Sequence, residues 1–135
     1  MNAPALSDCT RLFVYGTLKR NHCHAQHQHL VRHARFLGTG ITRGHLYRID
    51  WYPALVDAND AKAWVTGEIY DMLDAHSLLC ALDEFEGFDL YHPENSEYRR
   101  VVREVHTQDG KRIWCQLYLY QRSVDPALRI ASGTF

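Results

Sequence analysis

The sequence predicts an α+β fold whose sheet is antiparallel or mixed and is either open or curled into a barrel. Three observations lead to this prediction. Short β-rich runs recur along the chain, one segment carries strong helix signals at both ends, and an Asp-Gly pair separates two long β-rich runs near the end. Many short strands with tight or irregular connections and few helices are typical of this class.

The first half of the chain contains apolar runs interrupted by glycine. Leu12–Tyr15 is a short apolar run stopped by Gly16, which favours a strand buried on both faces. The polar stretch Asn21–His33 predicts a loop followed by a short surface helix. Extended pieces are expected over residues 36–56, where glycine and proline punctuate the pattern.

The second half predicts one strand and then a hairpin. Ala63–Met72 is β-branched and aromatic, and we expect a bulge at Gly67. Tyr98–His106 and Lys111–Arg122 read as two strands joined at Gln108-Asp109-Gly110. Asp-Gly between two β-rich runs is the strongest short-range hairpin signal, so these strands should be antiparallel neighbours.

One helix is strongly predicted, between Asp74 as N-cap and Gly87 as the residue after the last turn. At about 100° per residue, its apolar side chains fall within an arc of roughly 120° that faces the core. They are Ala75, Leu78, Leu79, Leu82 and Phe85. Glu86 falls inside this stripe, where burial and the helix dipole both raise the pKa of a carboxyl. Glu86 is therefore either a functional buried acid or a last-turn glutamate that turns back to solvent.

Composition and charge restrict the class of protein. The 135 residues suit one domain, which we place at 11–135 after a flexible leader at 1–10. Lys plus Arg total 15 and Asp plus Glu total 16, so the chain lacks the basic field of a nucleic-acid-binding protein. It contains no membrane-spanning apolar run and no secretory signal. Four cysteines without CxxC spacing predict reduced thiols in a cytoplasmic protein.

A second candidate site follows the first strand at Tyr15-Gly16-Thr17-Leu18. Where a strand turns sharply at glycine, successive backbone N–H groups can converge and bind an anion. A carboxylate or a phosphate would suit such a cup, although most Gly-Thr turns are only turns. The spacing of a Walker phosphate-binding loop is absent.

Histidines cluster in the segment 22–29, which resembles a metal-binding tract by composition. The spacings of His22, His24, His27 and His29 mix loop and helix periods, and no second cluster supplies further ligands. We therefore expect a solvated, mobile segment and no metal site.

Several motifs, in order along the chain, resemble those of the γ-glutamylcyclotransferase-like family, which includes γ-glutamylamine cyclotransferase. They are Leu12-Phe13-Val14-Tyr15-Gly16-Thr17-Leu18-Lys19-Arg20, Tyr52-Pro53-Ala54-Leu55-Val56, Gly67-Glu68-Ile69-Tyr70, Leu82-Asp83-Glu84-Phe85-Glu86-Gly87, Tyr98-Arg99-Arg100 and Ile130-Ala131-Ser132-Gly133. Each piece is unspecific alone, but five or more in register are specific together. The histidine-rich segment 21–29 is the departure from the pattern.

This resemblance implies a small mixed β-barrel with one main helix and short flanking helices. It also implies an enzyme that converts a γ-glutamyl-amine or γ-glutamyl-amino acid to 5-oxoproline and the free amine. The implied acid/base is Glu86, and no metal, nucleotide or other cofactor is required. The predicted substrate-binding residues are Tyr15, Gly16, Thr17, Leu18, Tyr52, Tyr98 and Arg100.

The sequence leaves other points open. A non-catalytic module that binds a small molecule in the same pocket is the alternative function, and a histidine-dependent metal protein is a third. The only predicted partner is the γ-glutamyl substrate, with no nucleic acid or membrane, and the protein is either a monomer or a dimer. The identity of the released amine depends on loops that include Trp51 and Tyr52.

Overall fold

Seven strands and two α-helices make up the fold in the computed structural model, which describes residues 2–16, 18–19, 25–58, 62–89 and 91–135. The strands are β1 (Arg11–Val14), β2 (Ala34–Arg43), β3 (His45–Arg48), β4 (Pro53–Val56), β5 (Trp64–Met72), β6 (Tyr98–Thr107) and β7 (Arg112–Tyr120). The helices are α1 (Ala25–His33) and α2 (Ala75–Glu86), and short 3-10 turns occur at Leu6–Asp8, Pro93–Asn95 and Pro126–Leu128.

Five strands close a barrel in the order β1-β5-β2-β6-β7. Neighbours are antiparallel except where β7 returns to β1, at the parallel pair Leu12 and Gln116. Strands β3 and β4 form a separate two-stranded sheet. The structure thus confirms the α+β class and a mixed barrel with one main helix and a shorter one.

Local sequence signals account for most of these elements. The β1 run is buried on both faces, with Leu12 and Phe13 almost fully enclosed. The hairpin between β6 and β7 turns at residues 108–110, where Gly110 has a φ of +84° that side chains rarely adopt. Both features were predicted from the sequence.

The bulge predicted at Gly67 is wrong. Gly67 keeps a regular pairing with Gly40, and the register instead shifts in β2 between Phe36 and Gly38. Gly67 is required by close packing, because a Cβ there would lie 2.4 Å from the Val14 carbonyl oxygen. Strands β1 and β5 can approach this closely because residue 67 has no side chain.

Helix α2 is capped at both ends as predicted. The Asp74 carboxylate accepts a hydrogen bond from the Ser77 N–H at 3.4 Å. At the other end, Gly87 is left-handed (φ 67°), its N–H donates to the Glu84 carbonyl, and the Phe88 N–H donates to the Asp83 carbonyl. This pair of bonds is the Schellman arrangement, which fixes the last turn.

The buried stripe of α2 packs against one face of the barrel wall. Leu78, Leu79 and Leu82 are buried, and Phe85 packs against the same cluster. Helix α1 joins this cluster through Leu30, which is fully enclosed. Helix α1 is a short surface helix, as expected, with one face in this core and the other exposed.

The segment predicted as a leader contacts the barrel from Leu6 onward. The Gln116 side chain donates to the carbonyls of Leu6 (3.1 Å) and Cys9 (2.6 Å), and Cys9 is buried. Within the described residues, neither helix has the length and apolar character needed to cross a membrane.

Candidate active site

A cavity of about 180 Å³ opens between the end of β1, the start of β4, the end of α2 and the start of β6. One ordered water needs only about 10–15 Å³ by such a measure, so the space admits a small organic molecule. Its lining combines aromatic and acidic side chains: Phe13, Val14, Tyr15, Gly16, Leu18, Trp51, Tyr52, Pro53, Phe85, Glu86, Glu97, Tyr98 and Tyr118. Six residues predicted as site residues from the sequence therefore meet in one cavity.

Glu86 is the last residue of α2 and is held there by the Schellman turn at Gly87. Its side chain is half-buried in the cavity wall, whereas Glu84 on the same turn is exposed. Burial, followed by the nearby negative charges of Glu97 and Asp83, raises the pKa of Glu86 to about 8. The carboxyl is therefore mostly protonated at neutral pH when the cavity is empty.

The loop after β1 forms the opposite wall. Gly16 and Leu18 line the cavity, and within the described residues neither N–H donates a hydrogen bond to the protein. Gly16 is required by proximity, because a Cβ would lie 2.7 Å from Pro53 Cγ. A turn bond from the Lys19 N–H to the Gly16 carbonyl (3.0 Å) shapes the loop.

Two side chains fasten this loop from outside the cavity. The buried His27 ring lies 2.8 Å through Nδ1 from the Leu18 carbonyl oxygen. Lys19 is also buried, and its ammonium donates to the Phe135 carbonyl at 2.9 Å. The expectation of a solvated histidine segment is thus wrong for His27, which supports the cup.

Three tyrosine hydroxyls at the site are committed to structural bonds. Tyr15 donates to the Tyr118 carbonyl, Tyr98 to the Pro53 carbonyl and Tyr118 to the Asp83 carboxylate, each at 2.6 Å. Burial raises the pKa of all three phenols, so they remain neutral. Tyr98 lies at the site as predicted, but its proton already has an acceptor.

Arg100 is not part of the cavity lining. Its guanidinium makes a two-pronged ion pair with Asp83, at 2.9 and 3.0 Å, and also donates to the Gln116 side chain. Arg100 is 8% exposed, and the pair lies beneath α2. The structure therefore places Arg100 where it holds Asp83 and, through Asp83, the Tyr118 ring.

Glu97 was not predicted from the sequence, and it lines the cavity just before β6. The Tyr52 hydroxyl donates to the Glu97 carboxylate at 2.6 Å. That bond, with burial, raises the pKa of Tyr52 to about 12. The sequence offered little signal for Glu97, because it lies in an irregular loop where neither strand nor helix periodicity sets the side chain's direction.

Comparison with known proteins places the chain in a family. Residues 12–135 match the family model described as "Gamma-glutamyl cyclotransferase, AIG2-like". The chain belongs to this family. The match spans the barrel, α2 and the whole cavity, so the resemblance inferred from the motifs is confirmed.

Individual proteins are similar to this chain in sequence or in fold. A Drosophila melanogaster protein named "Putative gamma-glutamylcyclotransferase CG2811" is 31% identical over 137 residues, covering 93% of this chain and 79% of that protein. The crystal structure of an aig2-like protein from Mus musculus is 26% identical with a TM-score of 0.69, covering 93% and 87% of the two chains. Protein PH0828 from Pyrococcus horikoshii is 25% identical with a TM-score of 0.64, covering 93% and 89%.

Some predicted residues remain outside the described part of the chain. Thr17 of the cup is one, and His22, Cys23 and His24 of the histidine segment are others. Among the residues that the structure does describe, no three His, Cys, Asp or Glu side chains are grouped as metal ligands would be.

Proposed function

We propose that this protein is a γ-glutamyl cyclotransferase that converts a γ-glutamyl-amine or γ-glutamyl-amino acid to 5-oxoproline and the free amine. The observation that carries the proposal is the arrangement across the cavity. A carboxyl with a pKa raised to about 8, Glu86, faces a loop whose Gly16 and Leu18 N–H groups have no acceptor within the described protein. Family membership supports the reaction class.

Substrate binding begins at the loop in this proposal. The free N–H groups of Gly16 and Leu18 receive the α-carboxylate of the γ-glutamyl group, as main-chain nitrogens at such turns bind anions. The α-ammonium then lies toward Glu86 and pairs with its ionised form. The γ-carbonyl follows along the aromatic walls formed by Tyr15, Tyr98 and Tyr118.

The reaction is an intramolecular substitution at the γ-carbonyl carbon. Glu86 takes a proton from the α-ammonium, and the freed nitrogen attacks the carbonyl carbon and closes a five-membered ring. The bond from that carbon to the leaving nitrogen then breaks as Glu86 returns its proton to that nitrogen. The ring nitrogen loses its second proton to Glu86, which passes it to the released amine, so the products are the neutral lactam and an ammonium ion. Proton transfer is nearly balanced in free energy, because the α-amino group has a pKa of about 8 and that of Glu86 is also about 8.

Positioning supplies much of the rate in such a reaction. Nucleophile and electrophile belong to one molecule, and holding it in the ring-closing shape contributes about 7–11 kcal/mol to lowering the barrier. The cup fixes one end of the glutamyl unit, and the tyrosine walls limit its folding. The bonded hydroxyls of Tyr15, Tyr98 and Tyr118 keep these walls rigid.

A cytoplasmic location is part of the proposal. Cys9, Cys80 and Cys115 are free thiols, which is typical of proteins in a reducing compartment.

Glu86→Gln tests the proposal, since the amide keeps the shape and cannot take the proton. We expect 5-oxoproline release from a panel of γ-glutamyl-amines to fall at least a hundredfold, a usual value for a lost general acid/base. Ligand affinity, measured by calorimetry, should stay within about tenfold. Glu84→Gln, on the exposed side of the same turn, is the matched control and should keep wild-type turnover.

Two outcomes would contradict the proposal. Near wild-type release of 5-oxoproline by Glu86→Gln would remove Glu86 from the chemistry. Tight binding of γ-glutamyl ligands by the wild-type protein without any release would instead identify a non-catalytic binding module.

A further inference from the structure

We propose that Glu97, together with Trp51 and Tyr52, binds the leaving group and selects amines that carry a second, positively charged amino group. This inference rests on the proposed function and names the class of amine that the reaction would release. It depends on three properties of the cavity: where Glu97 is fixed, which charges line the walls, and which aromatic rings surround the carboxylate.

Glu97 is held rigidly beside the end of α2. Its backbone N–H donates to the Gly87 carbonyl at 3.2 Å, and its carbonyl accepts from the Gln121 N–H at 2.9 Å. The Tyr52 hydroxyl bonds one carboxylate oxygen, Oε2. The other oxygen, Oε1, accepts no hydrogen bond from the described residues, and the residue lines the cavity.

Acidic groups are present in the described lining of the cavity, and basic groups are not. Glu86 and Glu97 are the ionisable carboxyls of its described lining, which includes no lysine, arginine or histidine. Arg100, the buried cation near α2, is occupied by Asp83 and lies outside the cavity. Glu86 exchanges its proton with the reacting amine, so the Glu97 charge is left for another part of the substrate. An anionic leaving group would be repelled there.

Aromatic rings extend this site toward the mouth of the cavity. The Trp51 ring is 53% exposed and meets Tyr52 edge-to-face at 5.1 Å between centroids. Tyr52 in turn lies 6.3 Å from Tyr98. Ring faces attract alkylammonium groups and pack against their methylene chains. A carboxylate flanked by aromatic rings therefore favours a leaving group with a cationic amine on an alkyl chain over one that carries the α-carboxylate of an amino acid.

Three matched substrates test the inference: the γ-glutamyl amides of 1,4-diaminobutane, pentylamine and 5-aminopentanoate. Each leaving group has four methylenes after the amide nitrogen, and the three end in an ammonium, a methyl and a carboxylate group. We expect wild-type kcat/KM to follow that order, with the cation favoured over the methyl group by about tenfold or more, which corresponds to one charge-assisted hydrogen bond. Equal values, or a preference for the anion, would overturn the inference.

Glu97→Gln tests whether the preference for a cationic leaving group depends on the Glu97 side chain. The ratio of kcat/KM between the cationic and neutral substrates should fall toward one in this variant. Glu94→Gln removes an exposed charge three residues earlier and should keep the wild-type ratio. A uniform loss on all three substrates would give Glu97 a structural role only. Because the wild-type order is measured first, the test does not depend on the folding of either variant.

Failure of the proposed function would be distinguishable. Calorimetric binding of the three compounds to Glu86→Gln reports the charge preference without turnover. Absence of 5-oxoproline with all three and with γ-glutamyl-amino acids would contradict the enzyme proposal, while a cation-first order of affinities would still support the site at Glu97. Turnover of all three at equal rates would retain the enzyme and reject the selectivity.

Discussion

Removing the acidic group at Glu86 should make the protein more stable at neutral pH. In the folded protein the pKa of Glu86 is raised from 4.5 to about 8, mainly by burial. An acid whose pKa is raised on folding holds its proton in the native state while the unfolded chain has already lost it. The contribution of Glu86 to the free energy of unfolding therefore falls as pH rises from about 4.5 and levels off above about 8.

The size of the effect follows from the two pKa values. At pH 7, which is about 2.5 pH units above the pKa of Glu86 in the unfolded chain, the native carboxyl is still protonated. Keeping this proton lowers the free energy of unfolding by about 3 kcal/mol as an upper bound. At pH 5 the same cost is below about 1 kcal/mol. Glu86→Gln removes a proton-dependent penalty of this size and leaves the shape of the side chain unchanged.

Urea unfolding at pH 5 and pH 7 measures this difference. We expect the free energy of unfolding of Glu86→Gln, relative to the wild type, to be higher at pH 7 than at pH 5 by about 2 kcal/mol. The pH comparison cancels any constant cost of burying the amide. Glu84→Gln should change stability by less than about 0.5 kcal/mol, because this side chain is exposed. A Glu86→Gln difference that is the same at both pH values would refute the assignment of a raised pKa.

Two further predictions concern the walls of the site. The kcat/KM of the wild type should rise with pH toward about 8. Asp83→Asn should move this rise to lower pH, because the charge of Asp83 helps to raise the pKa of Glu86. A pH profile of Asp83→Asn that is not shifted would contradict this prediction. Gly16→Ala should lower stability by about 1–3 kcal/mol and raise KM, because the new methyl group would lie 2.7 Å from Pro53 Cγ. Unfolding and kinetics of Gly16→Ala with and without Pro53→Ala check the cause, since the smaller residue should recover part of the loss.

Local chemistry explains what the sequence could predict. The caps at Asp74 and Gly87 and the turn at Gly110 depend on neighbouring residues alone, so the helix and the hairpin were located correctly. Helical periodicity placed Glu86 on the buried side of α2, and the glycine after β1 marked the cup.

Long-range contacts explain what the sequence could not predict. Glu97 reaches the cavity because its backbone bonds to Gly87 and Gln121, which no local pattern encodes. The family resemblance placed Arg100 in the site with Tyr98, yet two residues along β6 are enough to carry Arg100 past the cavity to Asp83. Side chains on the same face of one strand can thus contact different parts of the protein.

The Gly16 loop follows β1, the strand that takes part in the sparsest pairing of the barrel. Strand β1 meets β7 at one parallel register pair, whereas β6 and β7 share nine. A local opening between β1 and β7 would cost less free energy than global unfolding and would move the Gly16 loop, which directly follows β1. A small molecule spanning that loop and Glu86 would draw the two sides together and oppose the separation. Under the proposed function, resistance of the chain to proteolytic degradation would then follow the cellular supply of its γ-glutamyl substrate.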